Sequence, residues 1–441
     1  MRRAAALCAA SLACAQAWAQ ALVLSGGMIV DGYGGPPIAN GVVVIEGERI
    51  LAVGGRGQVP VPDGAQLIST EGMTVLPGLW DLQVRTMRLG HGDDARWKET
   101  YGPLAERVVM PIAVRQLLQA GVTSARDTAA PLAAAINVRR RIREYLIQGP
   151  TLYVSGPALR KLVPADTAEW QWAVNGAPDA KAKVASLADA GVDYVLLAEV
   201  DLWSDEELQA ALAEARARGL PVHAFAERPG DVARGVALGL DGFLGTSMGV
   251  TPFPDSVVLA LHQRLLETSP RALWWTPAIS ALLNFESLRA NAEPLDDPRT
   301  TEQMPPLVAA DVLGSLSIPD RVRWFEMPAS KARTLCPKLR QLDEARVGLL
   351  IGSDAGVAGH LHSRATWQEI EFWVRDCGMP AARAIQAATH DAAIAMGAGH
   401  ESGAIAPGKY ADVIAVRGDA LRNPGLLQQV EVVIKRGRRV R

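Results

Sequence analysis

The sequence is 441 residues long and is short of most features that would place it quickly. It has only 4 cysteines, and Cys8 and Cys14 fall in the first few residues, so a disulfide-built scaffold is excluded. It has no excess of charge of one sign. There are 45 Lys and Arg against 47 Asp and Glu, a formal net charge of −2, which excludes recognition of a nucleic-acid backbone by bulk charge. No internal apolar run reaches ~18 residues, so no membrane span is expected. No glycine-rich phosphate loop is found, since Gly352 and Gly356 read as turn glycines. Repeats and low-complexity tracts are also missing. What is present is a hydrophobic fraction of 49%, a globular composition. The length fits two or three domains, or one large barrel with an added piece.

The first residues read as a secretory leader. Arg2 and Arg3 precede an Ala/Leu/Cys run that ends in Ala17-Trp18-Ala19, with small residues at −3 and −1. Cleavage after residue 19 implies an exported, periplasmic protein. Ser11-Leu12-Ala13-Cys14 is a partial lipoprotein site, and its use would give a form anchored through Cys14. Cys336 and Cys377 then remain, and two separate buried thiols are expected.

Both ends of the remaining chain read as short strands. Residues 22–32 are strand and turn, and 42–53 form a hairpin with Glu46-Gly47-Glu48 at its tip. Strands at 411–416 and 430–434 are followed by Lys435-Arg436-Gly437 and a last short strand. Neither end suffices alone, but together they can build one small β-sandwich. The middle alternates short apolar runs with Ala/Leu/Arg-rich helical stretches, the pattern of parallel βα units. Strands are expected at 79–84, 122–126, 151–155, 192–197, 221–225, 241–245, 272–278 and 348–353. Eight such units suit a (β/α)8 barrel. The segment 284–328 carries six prolines and weak periodicity, so it is expected to be a long excursion before the last strand. The division is therefore 1–19 signal peptide, 20–75 and 403–441 the two parts of the sandwich, and 76–402 the α/β barrel.

Four segments carry a resemblance. They are Val75-Leu76-Pro77-Gly78-Leu79-Trp80-Asp81, Gly121-Val122-Thr123-Ser124-Ala125-Arg126-Asp127, Gly352-Ser353-Asp354-Ala355-Gly356, and Gly403 through Asp412. In this order and separation they resemble the amidohydrolase superfamily, in its imidazolonepropionase-like branch. The resemblance implies a TIM-type barrel and metal-assisted hydrolysis of C–N bonds, in which one or two divalent ions activate water and a strand-eight aspartate takes its proton. It also implies ligand positions at the C-terminal ends of the strands. At four of the six, this sequence departs. Gln83 and Arg85 stand where strand one should carry histidines. Leu196 stands where strand four should carry a lysine, and Gly245 where strand six should carry a histidine. Only His223 and Asp354 match. Glutamine is a weak neutral ligand, and an arginine has no lone pair to give. No bound metal is therefore expected.

Other histidines were weighed as replacements. His91 follows strand one, and His360 and His362 follow Asp354, so all three fall near the barrel mouth. His262, His390 and His400 read as surface or packing residues. Among the tryptophans at 170, 172, 203, 274 and 275, packing is the default and a pocket lining the exception.

An aspartate in a barrel centre without a cation would be a buried, unpaired carboxylate. Arg85 lies two residues after Gln83 on the same strand, so both side chains point the same way. Arg85 is therefore expected to fill the vacated metal volume and pair with Asp354. The function expected is an exported amidohydrolase-like pseudoenzyme that binds a small or peptide-like ligand, with self-association as a further expectation. The alternative is an active hydrolase of C–N bonds. It would work through a single zinc held by His223, Asp354 and a loop histidine, or without metal, with Asp354 as general base and Arg85 or Gln83 stabilising the oxyanion.

Overall fold

The structure, a computed structural model, describes residues 21–245, 251–265, 273–290, 297–316 and 329–441. Residues 1–20, where a leader is expected and where Cys8 and Cys14 fall, lie outside the described residues, as do parts of the 284–328 segment.

The two ends of the chain meet in one eight-stranded sheet, ordered β18-β17-β16-β5-β1-β2-β3 with β4 beside β1. From the N-terminal side come β1 (Leu22–Ile29), β2 (Ile38–Glu46), β3 (Arg49–Gly55), β4 (Gln66–Ser69) and β5 (Met73–Pro77). β1 pairs with β4 along Leu22–Ser25 and with β5 at Met28–Ile29. Register shifts around Gly27 fall between the two pairings. The adjacent Gly26 has φ +99°, open to glycine without strain. A strand that bulges there can bend and serve both halves of the sheet. Leu24, Ile45, Ile68, Val75, Val413 and Ile434 fill the space it encloses.

The middle of the chain forms parallel strands. β6 (Leu79–Val84), β7 (Val122–Asp127) and β8 (Thr151–Val154) make a three-stranded sheet. β9 (Ala158–Arg160), β10 (Gln171–Ala173), β11 (Val195–Leu197), β12 (Val222–Phe225), β13 (Gly242–Leu244), β14 (Trp274–Thr276) and β15 (Gly348–Leu349) make a seven-stranded one, ordered β10-β9-β11-β12-β13-β14-β15. The last strands, β16 (Val413–Arg417), β17 (Val430–Lys435) and β18 (Arg438–Arg439), return to the terminal sheet. The result is a mixed α/β fold consistent with a TIM-type barrel, but the ladder does not close. β9 takes the place beside β11 that β8 would need for closure. The sequence gives no expectation of a strand at β9 or β10. Both strands are only 3 residues each, too short for an alternation signal.

At the other seam the backbone is stitched. Leu82 N donates to Ile351 O, Asp354 N to Gln83 O, and Arg85 N to Ala355 O, at 2.9, 2.7 and 2.8 Å. Asp81 reinforces this seam from inside the fold. It accepts Ser353 N at 3.0 Å, Ser353 Oγ at 2.5 Å and Thr366 Oγ1 at 2.7 Å. One carboxylate thus ties β6, the strand-eight segment and the following helix together. The helices obey ordinary capping chemistry. Ser204 and Glu207 form a reciprocal box at the start of Asp205–Ala217, whose first turn is acidic.

The 284–328 segment falls between β14 and β15 and takes in the end of a helix, Ile279–Ala290, and a further helix, Pro306–Leu316. One expectation needs correction. Cys336 and Cys377 are not separate thiols but are joined in a disulfide. Their separation of 41 residues gave no sign of this, because helix packing alone brings them together. No described helix is long and apolar enough to cross a membrane.

Candidate functional site

The seam between β6 and the strand-eight segment sets two charged side chains face to face. Asp354 sits at φ +55°, a left-handed conformation uncommon for a residue with a Cβ. Arg85 Nε donates to Asp354 Oδ1 at 2.7 Å, and Arg85 Nη2 lies 3.5 Å from Oδ2. Their side chains keep 24% and 17% exposure, so the pair looks into open space rather than being sealed. Burial alone would lower the Arg85 pKa, but the Asp354 carboxylate outweighs it and holds the pKa above its ordinary value. The pairing expected from strand alternation is present.

That space is a cavity of about 360 Å³ at the C-terminal ends of the strands. Gln83, Arg85, Gly245 and Asp354 all line it. The Gln83 side-chain oxygen is buried there without a hydrogen-bond partner. Gly245 has φ +82°, and among the described residues nothing stands within 4 Å of where a Cβ would be. Leu196 does not face this cavity. It is fully buried in an apolar cluster with Tyr194 and Leu244.

His223 is buried deeper, on β12, and its partner is unexpected. Arg126 on β7 crosses the barrel interior. It donates to Leu82 O at 2.7 Å and Thr276 Oγ1 at 3.2 Å, and its Nη1 lies 3.4 Å from His223 Nδ1. A guanidinium has only donors, so the imidazole lone pair faces it at Nδ1 and the ring proton sits on Nε2. Burial first, and the Arg126 charge second, push the His223 pKa well below its ordinary value. A protonated Nε2 is not a metal ligand. Arg126 belongs to the Gly121–Asp127 segment, where the sequence suggests no role for it. Nothing in its neighbourhood along the chain signals that it will reach three other strands.

The loop histidines do not rescue a metal site. His360 and His362 are fully buried, and burial pushes both pKa values down to about 3. His360 Nε2 lies 3.3 Å from Ser280 Oγ, away from the cavity lining. His91 is buried with Nδ1 turned to the Asp93 backbone and Nε2 3.6 Å from Asp311. Among the described residues, no three His, Cys, Asp or Glu side chains group so as to hold an ion. The donors that line the mouth at the expected ligand positions, Asp354 already bound by a guanidinium and a lone amide from Gln83, do not fit a divalent cation.

The rest of the cavity carries residues the sequence did not single out. Arg88, Lys98 and Arg160 line it and are held by Asp94, Asp166 and Glu199 at 2.6, 2.6 and 2.5 Å. Arg160 lies on β9, the strand hidden from sequence reading. Trp170 and Phe225 supply aromatic wall. Of the five tryptophans weighed above, Trp170 alone lines this cavity, and Trp203 and Trp275 are packed inside, their indole N–H groups donating to Ala198 O and Gly245 O. Beneath the mouth, Asp127 is buried and receives Thr86 N and Oγ1 at 2.8 and 2.7 Å; burial still lifts its pKa to about 6. The site is thus a mixed-charge cleft with the Arg85–Asp354 pair at its centre.

Comparison with known proteins fits this geometry. The model of the amidohydrolase family matches residues 74–244 and 320–440. Among solved structures, the chain is similar to a Xaa-Pro dipeptidase with bound methionine in the active site, at 22% identity and TM-score 0.72, covering 95% of this chain and 99% of that one. It is similar to molinate hydrolase at 20% identity and TM-score 0.74, covering 96% and 95%. It is also similar to A. niger ochratoxinase at 19% identity and TM-score 0.72, covering 96% of each. At such identities the likeness speaks for the fold alone. No curated protein matches the sequence. The family model covers well over half of the chain, on both sides of the helical excursion, and the chain belongs to the amidohydrolase family.

Proposed function

We propose that this chain is an exported amidohydrolase-fold pseudoenzyme of the imidazolonepropionase-like branch, which has lost metal-dependent hydrolysis and uses its barrel mouth to bind a small or peptide-like ligand. The Arg85–Asp354 ion pair carries this reading, because it puts a permanent cation against the carboxylate that would serve as general base. The loss of donor chemistry at Gln83, Leu196 and Gly245 supports it. So does Arg126, which occupies the His223 lone pair. A ligand with both a carboxylate and an ammonium or amide group suits a cleft lined by Arg85, Arg88, Lys98 and Arg160 with Asp94, Glu227 and Asp354. A dipeptidase among the structural neighbours is in keeping with that class. The Cys336–Cys377 bridge is in keeping with an oxidising, exported location.

The test is metal stoichiometry on purified protein expressed with zinc, manganese and iron supplied. Near-zero tightly bound metal is expected. Arg85→His is expected not to raise it, because Leu196 and Gly245 still offer no donor. About one ion per chain, lost on His223→Ala or Asp354→Asn, would overturn the proposal and return the protein to the working hydrolases.

A further inference from the structure

A second cavity lies at the other end of the barrel, where β8 begins. The helix Leu132–Arg143 and strand β18 flank it, its volume is about 330 Å³, and it shares no lining residue with the barrel mouth. Six cations line it: Arg139, Arg143, Lys435, Arg436, Arg438 and Arg439. No acidic residue is among the lining.

Half of this charge is neutralised from behind. Arg139 is paired with Asp193 at 2.6 Å, Lys435 with Asp412 at 2.7 Å, and Arg436 with Glu48 at 3.1 Å. Glu48, at the rim, also accepts the Tyr145 hydroxyl at 2.6 Å. Arg439 Nε donates to the main-chain oxygen of Arg441 at 3.0 Å. Arg143 and Arg438 have no ion-pair partner among the described residues: Arg143 is exposed, and Arg438 lies over the Tyr145 ring at 4.3 Å. The excess is therefore about two positive charges around one hollow. The opposite wall is apolar, made of Leu118, Ile142, Leu152 and Val440. Tyr145, at φ +57°, and Leu146 stand exposed beside it.

We propose that this cavity binds a small amphiphilic dianion, a phosphate monoester carrying an apolar group. The unpaired guanidinium groups of Arg143 and Arg438 match a group that carries about −1.5 to −2 charge near pH 7. The planar fork of arginine fits the oxygens of a tetrahedral anion. The apolar wall and the Tyr145 ring take the substituent, which inorganic phosphate lacks. The volume is at the small end of ligand cavities, ~300–1,000 Å³, so the occupant is one ring or a short chain with its phosphate. A free phosphate ester and the headgroup of phosphatidate, a lipid monoester, share this chemistry.

Isothermal titration of the full chain with phenyl phosphate, run beside inorganic phosphate and phenol, tests the site. Saturable 1:1 binding of phenyl phosphate is expected, weakened by salt and about tenfold tighter than that of inorganic phosphate. Arg143→Gln and Arg438→Gln, both on exposed side chains, are each expected to weaken it about tenfold, while Arg88→Gln at the barrel mouth leaves it unchanged. Flotation with phosphatidate and phosphatidylcholine vesicles separates the two sources. Anionic-vesicle binding that is lost in Arg438→Gln assigns the site to a lipid headgroup, and its absence beside phenyl phosphate binding assigns it to a free ester. No saturable binding of phenyl phosphate and no preference for anionic vesicles would overturn the proposal. So would binding that survives Arg143→Gln and Arg438→Gln but is lost in Arg88→Gln, which would place the ligand at the barrel mouth.

Discussion

Two arginines set the character of the site. Arg85 answers a charge that would otherwise be stranded, and removing either member leaves the other with an unmet desolvation cost. The pair is partly open to solvent, so the cost is below that of a sealed one. Asp354→Ala is expected to destabilise the fold by about 1–3 kcal/mol in urea unfolding at pH 7. Arg85→Ala together with Asp354→Ala is expected to cost less than the sum of the two single changes, and strict additivity would show that the pair is not coupled. Arg126 acts differently. It is a fully buried cation whose hydrogen bonds go to a carbonyl, a hydroxyl and an imidazole, and burial lowers its pKa. Replacing it with methionine keeps most of the apolar stem and removes the charge facing His223. Arg126→Met is expected to raise the His223 pKa toward the ordinary imidazole range, read from NMR titration of the ring protons, while burial keeps it below that range.

Among the elements, the helix Ala365–Arg375 carries a buried acid that serves another helix. Glu369 accepts Ile279 N at 3.1 Å, Ser280 N at 2.6 Å and Trp373 Nε1 at 2.8 Å, which caps the start of Ile279–Ala290. Burial nonetheless lifts its pKa to about 7. The folded protein therefore holds this proton more tightly than the unfolded chain does. The resulting stability is complete below the unfolded value near 4.3 and is lost as pH rises through about 7. His360 and His362 work in the opposite window. Their folded pKa values of about 3 give stability that is present above the unfolded value near 6.5 and is lost as pH falls toward 3. Denaturation followed from pH 4.5 to 8 is expected to lose part of its alkaline decline in Glu369→Gln, with the acid limb unchanged. Equal pH slopes in the two proteins would refute the assignment. The same helix leads into Cys377, and the bridge to Cys336 closes a loop worth about 4 kcal/mol by chain entropy. Cys336→Ser is expected to lower the Tm by several degrees, and a reductant is expected to do the same to the wild type but not to the variant.

For the molecule as a whole, the terminal sheet makes folding depend on both ends of the chain. β16 lies between β5 and β17 and pairs with β5 from Met73 to Pro77. Removing residues 413–441 would expose the far edge of β5 and the apolar cluster around Val75 and Ile405. Such a chain is expected to lose its cooperative unfolding transition and to aggregate on expression, and a soluble, two-state product would disprove this. The two cavities sit at opposite ends of the parallel strands, one mixed in charge and one strongly basic, so ligands at each can be separated by single substitutions.

The sequence by itself determined the order of elements, because strand and helix leave periods of 2 and 3.6 residues in any half-buried segment. The starts of β6, β7, β8, β12 and β13 lie within one residue of their expected positions. The Arg85–Asp354 pair was legible only with the family resemblance, which puts both residues at the barrel centre; side-chain alternation and the need of a central carboxylate for a cation then supply the pairing. Only the tertiary structure decided the rest. The pairing of Cys336 with Cys377, the reach of Arg126 across three strands, and the insertion of β9 beside β11 all depend on distances between segments far apart in the chain. So does the basic cavity, whose Arg143 and Arg438 are 295 positions apart in the chain but face one hollow. Periodicity records which side of an element is buried. It does not record which element is packed against it.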